Sequence, residues 1–347
     1  MQKILITGGA GFIGSNLVHS ILRDSINTKV VVLDKLTYSG NLNNLSEWFS
    51  VENFEFEQLD ITNPTATDSV FEKHSDFKAV IHLAAESHVD RSIVHPGDFI
   101  NTNVVGTFNL LESFKKRAGN KRGPRFLHVS TDEVFGSLSL SEPSFTEHSN
   151  YKPNSPYSAS KAASDHLVRS YFHTYHLDVL TTNCSNNFGP FQFPEKLIPV
   201  TIISCLEWKK IPIYGNGENI RDWLYVEDHC DALRLVLADG IAGETYNIGG
   251  RNEYKNIEIV SFICEIMDRL IPKSESYKSL VYFVGDRPGH DFRYSIDPAK
   301  MESVLGWTPR SIFKDALEVT VQWYIENEEW WRDIRSGKKR RNFESKF

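Results

Sequence analysis

Tyr157-Ser158-Ala159-Ser160-Lys161 sets a phenol and an ammonium four residues apart. On a helix that spacing puts both groups on one face, one turn from each other. A free phenol titrates near pH ~10 and is a poor base at neutral pH, but a fixed positive charge favours the phenolate. The pair is therefore a candidate base for a hydroxyl proton, although similar pairs occur on exposed helices without any such role. A strand ending in Ser130-Thr131 runs directly into Asp132 and Glu133. Thr131 can hydrogen-bond a reacting oxygen. The two carboxylates stand at the carboxyl end of a parallel strand, the edge where such sheets carry their sites. Oxidising an alcohol needs one base, so a second acid and base point to further proton transfers, as in expelling water. A solvated Asp-Glu pair in a loop is the bland alternative.

Gly8-Gly9-Ala10-Gly11-Phe12-Ile13-Gly14 lies between the first strand and the first helix. Without Cβ atoms the backbone can turn tightly and approach a pyrophosphate, whose charge then meets free N–H groups and the positive end of the helix dipole. An ordinary glycine-rich turn is the alternative; Asp34, at the end of the next strand and twenty residues after Gly14, argues against it. A carboxylate there accepts from a free ribose 2′-hydroxyl and repels a 2′-phosphate, which favours NAD over NADP. Lys35, next to it, weakens that repulsion.

These groups need a scaffold, and the hydrophobic pattern supplies one. Short β-branched runs at 3–7, 29–33, 79–83 and 125–130 alternate with helical stretches at 14–23 and 106–117; Val30-Val31-Val32-Leu33 and Val80-Ile81-His82-Leu83 read as strands buried on both faces. Further strands are expected at 55–58 and 179–183, with a long helix over 156–175 opening on Ser155-Pro156. The expected fold is α/β, a Rossmann-type doubly wound parallel sheet with a smaller mixed C-terminal lobe that binds substrate. Residues 1–187 are expected to form the cofactor domain and 188–347 mainly the second lobe. A helix at 228–237 and a strand at 244–248 return to the main sheet. A final helix at 313–331 carries Trp323, Tyr324, Trp330 and Trp331, an aromatic stripe that reads as packing.

The Gly8, Gly11, Gly14 spacing and the Tyr157/Lys161 pair resemble the extended short-chain dehydrogenase/reductase family. Further stretches are similar to its sugar-nucleotide branch, the 4,6-dehydratases acting on dTDP-glucose: Asp34-Lys35-Leu36-Thr37-Tyr38, His82-Leu83-Ala84-Ala85-Glu86-Ser87-His88, Thr131-Asp132-Glu133-Val134, Asn183-Cys184-Ser185-Asn186-Asn187, Glu195-Lys196-Leu197, Ile220-Arg221-Asp222-Trp223 and Asp286-Arg287-Pro288-Gly289-His290. They span the chain almost end to end. The resemblance implies C4 oxidation, loss of water across C5 and C6, and hydride return to C6, a step of deoxysugar biosynthesis. Tyr157 would be the base at the C4 hydroxyl with Lys161 and Thr131, Glu133 the base at C5, and Asp132 the acid at the C6 hydroxyl. The same matching assigns NAD to Gly8, Gly11, Phe12, Ile13, Gly14, Asp34, Lys35, Leu36, Thr37, Asp60, Ile61, Leu83, Ala84, Ala85, Ser87, Thr102, Tyr157, Lys161 and Asn187. It assigns the sugar nucleotide to Ser87, Thr131, Asn186, Glu195, Lys196, Leu197, Pro212, Ile213, Tyr214, Arg221, Asn256, Arg287 and His290. Arg221 and Arg287 are the expected diphosphate ligands, since a guanidinium fork suits phosphate oxygens; a local Arg221-Asp222 ion pair is the alternative. Phe135 and Phe188 replace the family's tyrosines and are expected to bear on substrate preference.

The chain of 347 residues, with 40% hydrophobic and 12% aromatic residues, is a globular composition rather than a disordered one. A net charge of −7 gives no general attraction for nucleic acid, and the run Lys338-Lys339-Arg340-Arg341 reads as a solvated tail. There is no run of about 20 apolar residues to cross a membrane, and Met1 leads directly into a strand, so a cytoplasmic protein is expected. Cys184, Cys205, Cys230 and Cys264 match no zinc or disulfide spacing and read as reduced thiols; His82 and His88 have no partner at ligand spacing, and no metal is expected. The resemblance further implies a homodimer through helices near 104–116 and 156–175. A 4-epimerase, which needs no water-expelling acid and base, and a non-catalytic NAD-binding module are the rival readings. Asp132-Glu133 argues against the first, intact Thr131, Tyr157 and Lys161 against the second. The residues alone do not separate thymine from uracil on the nucleotide.

Overall fold

The computed structural model describes residues 2–118, 123–286 and 289–337. Its first half alternates strand and helix: β1 (Gln2–Thr7), α1 (Phe12–Asp24), β2 (Thr28–Asp34), β3 (Phe54–Gln58), α2 (Pro64–Lys73), β4 (Ala79–His82), α3 (Val89–Val94), α4 (Pro96–Phe99), α5 (Thr107–Ala118), β5 (Arg125–Thr131), α6 (Pro156–Tyr175) and β6 (Val179–Cys184). The second half adds β7 (Asn186–Phe188), α7 (Leu197–Leu206), β8 (Ile211–Tyr214), β9 (Ile220–Tyr225), α8 (Val226–Asp239), β10 (Thr245–Ile248), β11 (Glu253–Lys255), α9 (Asn256–Leu270), β12 (Val281–Val284), α10 (Ala299–Leu305), α11 (Phe313–Glu326) and α12 (Glu328–Ser336).

Among the described residues the main sheet has seven strands in the order β3-β2-β1-β4-β5-β6-β10, every neighbouring pair parallel. The two-residue period of a strand divides its side chains between two cores. Ile4, Ile6, Val30, Val32 and Leu127 join Leu17 and Ile21 of α1 and Leu233 of α8 on one face. Leu5, Val31, Leu33, Val80 and Phe126 join Phe71, Leu110, Phe114 and Val168 on the other. That double coverage is why the valine runs are continuous rather than alternating. Strand order reverses between β1 and β4, which opens a crevice at the carboxyl ends of the strands.

The smaller sheets, β11-β9-β7 and β12-β8, come from the second half, but α8 and β10 return to the main sheet, where β10 pairs with β6. The short strand β7 has no sequence signature of its own. The helix expected at 106–117 is observed at Thr107–Ala118, with a π-helical turn over Ile100–Gly106 before it. One helix differs from expectation: the final one is broken at Asn327, whose amide and backbone N–H both donate to the Trp323 carbonyl. The break folds α12 back so that Trp330 packs edge-on against Trp323, with Tyr324 and Trp331 fully buried. The Lys338–Arg341 run of the sequence lies outside the described residues.

Candidate active site

A cleft of about 750 Å³ lies along the carboxyl edge of the main sheet. At one end sits the glycine turn. Gly8 has φ +71°, and a Cβ on it would stand 2.7 Å from the Ala84 nitrogen; a Cβ on Gly14 would stand 2.2 Å from the Gly8 carbonyl oxygen. The N-cap of α1 is Gly11, which has no side chain to satisfy the first N–H groups of the helix. The turn is thus a cradle only bare backbone can form, with unspent donors at the positive end of a helix, and it fits a pyrophosphate. Asp34 closes the next strand, its carboxylate accepting from the Ala10 N–H at 3.0 Å and the Leu36 N–H at 2.8 Å. Burial raises its pKa, and those two N–H bonds oppose the rise. Lys35 is tied to Asp60 at 2.6 Å, so its charge is directed at a neighbour rather than offered to a 2′-phosphate.

The glycine turn is braced from behind. The Ala10 carbonyl accepts from the Asn44 amide at 3.1 Å and from the Asn41 N–H at 3.0 Å, while Asn44 Oδ1 accepts from Trp330 Nε1 at 2.8 Å. The C-terminal aromatic hairpin is thereby connected to the cofactor loop.

At the centre of the cleft, β5 delivers Thr131, Asp132 and Glu133, and the first turn of α6 delivers Tyr157 and, one turn later, Lys161. The start of α6 is fixed by Ser155, whose hydroxyl accepts from the Ser158 N–H at 3.1 Å, and by Pro156 in the first turn. Lys161 Nζ donates to the Val129 carbonyl at 2.9 Å. Burial pushes the Lys161 pKa down. The Tyr157 phenol is raised well above its ordinary value, first by burial and then by the charge of Glu133, with the Thr131 hydroxyl bond pulling the other way. Asp132 is likewise raised well above the carboxylate range, by burial, then by Glu133 and Asp222. These surroundings favour its protonated form. Its Oδ1 accepts from Thr131 Oγ1 at 3.3 Å, while Oδ2 is buried without a partner. A carboxyl pushed toward its protonated form in the wall of a cleft is suited to deliver a proton to a leaving hydroxyl.

The other end is lined by Asn186, Glu195, Lys196, Leu197, Pro212, Ile213, Tyr214, Arg221, Asn256 and His290. Arg221 is almost fully buried, its guanidinium 4.4 Å above the Tyr294 ring and donating to the Ile220 and Asp291 carbonyls at 2.7 and 3.0 Å. Asp222 instead accepts the Gly250 and Asn252 N–H groups at 2.8 and 2.7 Å, so the alternative of a local Arg221-Asp222 pair does not describe its bonding.

Of the residues expected in the site, Gly8, Gly11, Phe12, Ile13, Gly14, Asp34, Lys35, Thr37, Asp60, Ile61, Leu83, Ala84, Ala85, Ser87, Thr102 and Asn187 also line this cleft. Leu36 does not. Its φ of +59° turns its side chain to the main core while its N–H holds Asp34, so its part in the site is backbone only. Arg287 lies outside the described residues. Phe135 and Phe188 also fall away from the cleft. Phe135 stacks on Phe145 at 5.1 Å, and Phe188 packs among Trp223, Tyr225 and Phe313. Both rings thus keep their core packing without the hydroxyl. Trp223, in the matching stretch 220–223 but given no role there, also lines the cleft; missed in the sequence were Tyr294, which lines it too, and His229, whose Nδ1 lies 2.8 Å from Asn187 Oδ1. Neither of these two belongs to a recognisable motif. His82 is held in the core by Thr7 and Thr107 at 2.7 and 2.8 Å. Glu55, Glu57 and His74 cluster closely enough to hold an ion, but Lys29 and Lys73 already pair with these carboxylates.

Residues 5–320 match the family model described as GDP-mannose 4,6 dehydratase. The dTDP-glucose 4,6-dehydratase of Neisseria meningitidis is 52% identical, covering 97% of this chain and 97% of its own; that of Salmonella typhimurium is 51% identical, covering 97% and 96%. The structure of the dTDP-glucose 4,6-dehydratase of Streptomyces venezuelae, solved with NAD bound, superposes with a TM-score of 0.89 at 43% identity, covering 96% of this chain and 100% of that one.

The cradle geometry makes a direct demand on Gly14. Gly14→Ala forces the turn open and is expected to leave purified protein without bound dinucleotide, measured by chromatography of nucleotide released on heating. A parent-like nucleotide content in the folded variant would show that the turn is not the cradle.

Proposed function

The chain belongs to the GDP-mannose 4,6 dehydratase family, and on that premise we propose that it removes water from dTDP-glucose, giving dTDP-4-keto-6-deoxyglucose, with NAD as its cofactor. Identity of about half over nearly the full length to dTDP-glucose 4,6-dehydratases supports this branch of the family over its GDP-sugar members. The observation that carries the reading is the pairing, on one turn after β5, of a fully buried Asp132, its pKa raised by burial, with a neighbouring Glu133, beside the Tyr157/Lys161 pair. A 4-epimerase has no use for that acid and base.

The glycine turn and the N-terminus of α1 would hold the NAD pyrophosphate, Asp34 the adenosine ribose, and Tyr157, Lys161 and Asn187 the reacting end. When bound, NAD supplies the hydride acceptor for C4 and the donor that later reduces C6. Tyr157 takes the proton of the C4 hydroxyl, Lys161 stabilises the phenolate, and Thr131 holds the oxygen. The resulting ketone acidifies C5, and Glu133 removes that proton. Asp132 donates its own to the C6 hydroxyl, which departs as water. Glu133 returns a proton to C5 at the end. Two adjacent carboxyl groups thus play opposite parts, which requires environments that separate them; burial of Asp132 and the charge of its neighbour supply that separation. Arg221 would hold the diphosphate, with Arg287, and Ser87, Asn186, Glu195, Lys196, Asn256 and His290 would line the sugar-nucleotide site. In this reading residues 1–187, with the returning α8 and β10, carry the cofactor, and the rest of 188–347 carries the sugar nucleotide.

Two further proposals concern the whole molecule. Ile93, Val94, Ile100, Val105 and Phe108 are exposed apolar residues in one stretch of chain around α3 and the start of α5, which suits a homodimer through the helices near 104–116 and 156–175. A cytoplasmic location fits the absence, among the described residues, of any helix long and apolar enough to cross a membrane.

Incubating the protein with dTDP-glucose and no added reductant is expected to lower the sugar-nucleotide mass by one water without net NADH. An isomer of unchanged mass would instead establish a 4-epimerase, and no change with any sugar nucleotide the non-catalytic module. Glu133→Gln is expected to keep slow C4 oxidation while dehydration falls by about 10²–10⁴-fold, read by the same mass assay; unimpaired product formation would remove Glu133 from the mechanism. Light scattering is expected to give about twice the chain mass of 39.7 kDa, and a monomeric mass would rule the dimer out.

A further inference from the structure

Tyr157, Lys161 and Asp165 follow one another at four-residue intervals along α6, a single stripe that enters the protein as it leaves the cleft. Their exposures are 8%, 4% and 4%. The Lys161 ammonium has the Val129 carbonyl as a hydrogen-bond acceptor, and burial works against its charge. A lysine that sheds its proton can no longer support a phenolate one turn away, so some neighbour must hold the ammonium charged.

The groups around it can be taken element by element. From β4 comes His82, lowered well below its ordinary value by burial, and from β5 His128, lowered to about 4 by burial and then by Lys161. Both are neutral. From β6 comes Cys184, pushed up to about 12 by burial and so a thiol. After β5 come Asp132, pushed toward its protonated form by burial, and Glu133, whose charge acts on Tyr157. From α6 itself come Tyr157 and Asp165. Asp165 differs from the rest because its surroundings are built to keep it ionised. Its Oδ1 lies 3.1 Å from His128 Nε2, and its Oδ2 accepts from Ser130 Oγ and the Tyr151 hydroxyl, each at 2.9 Å. Burial opposes its charge, but the bond and charge of His128, then the Lys161 charge and the Ser130 bond, together carry its pKa below the usual value. Foremost among the charges that oppose the desolvation of Lys161 is this carboxylate.

We propose that Asp165 is a positioning residue for the reaction: anchored by His128, Ser130 and Tyr151, its buried carboxylate is the fixed counter-charge that keeps Lys161 an ammonium beneath Tyr157. The proposal rests on the reading of Tyr157 and Lys161 as the acid–base pair. His128 and Tyr151 do not line the cleft and would act through Asp165. The sign follows directly. Without the carboxylate Lys161 loses its proton at a lower pH, the phenolate loses its support, and the pH at which Tyr157 becomes a base moves up.

Two measurements test this. In Asp165→Asn the acid limb of the kcat profile is expected to move up by at least one pH unit, with KM for dTDP-glucose within twofold of the parent, and Asp165→Glu restores the limb. A folded Asp165→Asn with an unmoved limb overturns the proposal. The second measurement needs no activity, so it stands even if the assigned reaction is wrong, and it also covers a variant that folds poorly. Melting temperatures are compared for the parent, Asp165→Asn, Lys161→Met and the double variant. If the carboxylate serves the lysine, the loss of Tm caused by Asp165→Asn is at least halved when Lys161 is already methionine, and a double variant that folds where Asp165→Asn does not counts the same way. An equal loss in both backgrounds, or failure of both to fold, makes Asp165 a mere hydrogen-bond hub and overturns the proposal.

Discussion

Removing water from ionisable side chains forces each of them to be either charged or neutral, and the central part of this molecule is a sequence of such decisions. Where burial outweighs the neighbouring charges, the group is pushed toward its neutral form: the pKa values of Asp132 and Cys184 rise, and those of His82 and His128 fall. Where donors converge, as on Asp165, charge is retained. The chemistry depends on this division more than on the identity of any one residue, because a solvent-exposed copy of the same side chains would titrate at ordinary values and lose the distinction between acid and base. The parallel sheet makes the division possible. It is covered on both faces, so the groups at its carboxyl edge stand on buried apolar layers.

Much of this was legible in the residues. Continuous valine runs announced a doubly covered sheet, Ser155-Pro156 announced the start of α6, and the glycine run announced a tight backbone turn at the head of α1, because each depends on local geometry that a short stretch of chain specifies. The residues that escaped notice depend on long-range approach. Tyr294 supports Arg221 from a distant loop, and His229 reaches Asn187 from α8. Nothing near either in sequence marks it. The break at Asn327 was hidden for a related reason, since the helical periodicity of 313–331 continues through it and only the backward packing of Trp330 on Trp323 favours the turn. Phe135 and Phe188 looked like changes near substrate because their neighbours in sequence line the cleft; strand alternation and the turn after β5 send the rings inward instead.

The bracing of the glycine turn shows how far a site can extend from its motif. Ala10 belongs to the turn, yet its carbonyl is held by Asn44, and Asn44 by Trp330 near the other end of the chain. Tyr324 of the same hairpin donates its hydroxyl to the carbonyl of Gln192, a residue of the cleft wall. An aromatic cluster that reads as ordinary packing therefore also sets the position of two walls of the cleft.

The return of β10 to the main sheet carries a consequence for synthesis of the chain on the ribosome. β6 is an edge strand until Thr245–Ile248 have emerged, and an unpaired edge in a hydrophobic sheet invites pairing with the wrong chain. α8, which packs on α1, must also arrive before the first face of the sheet is closed. The nascent main sheet thus waits, incomplete, while β7, α7, β8 and β9 are being made. Parts that interleave in this way cannot be inherited or lost as separate cassettes; they are compelled to evolve as one unit.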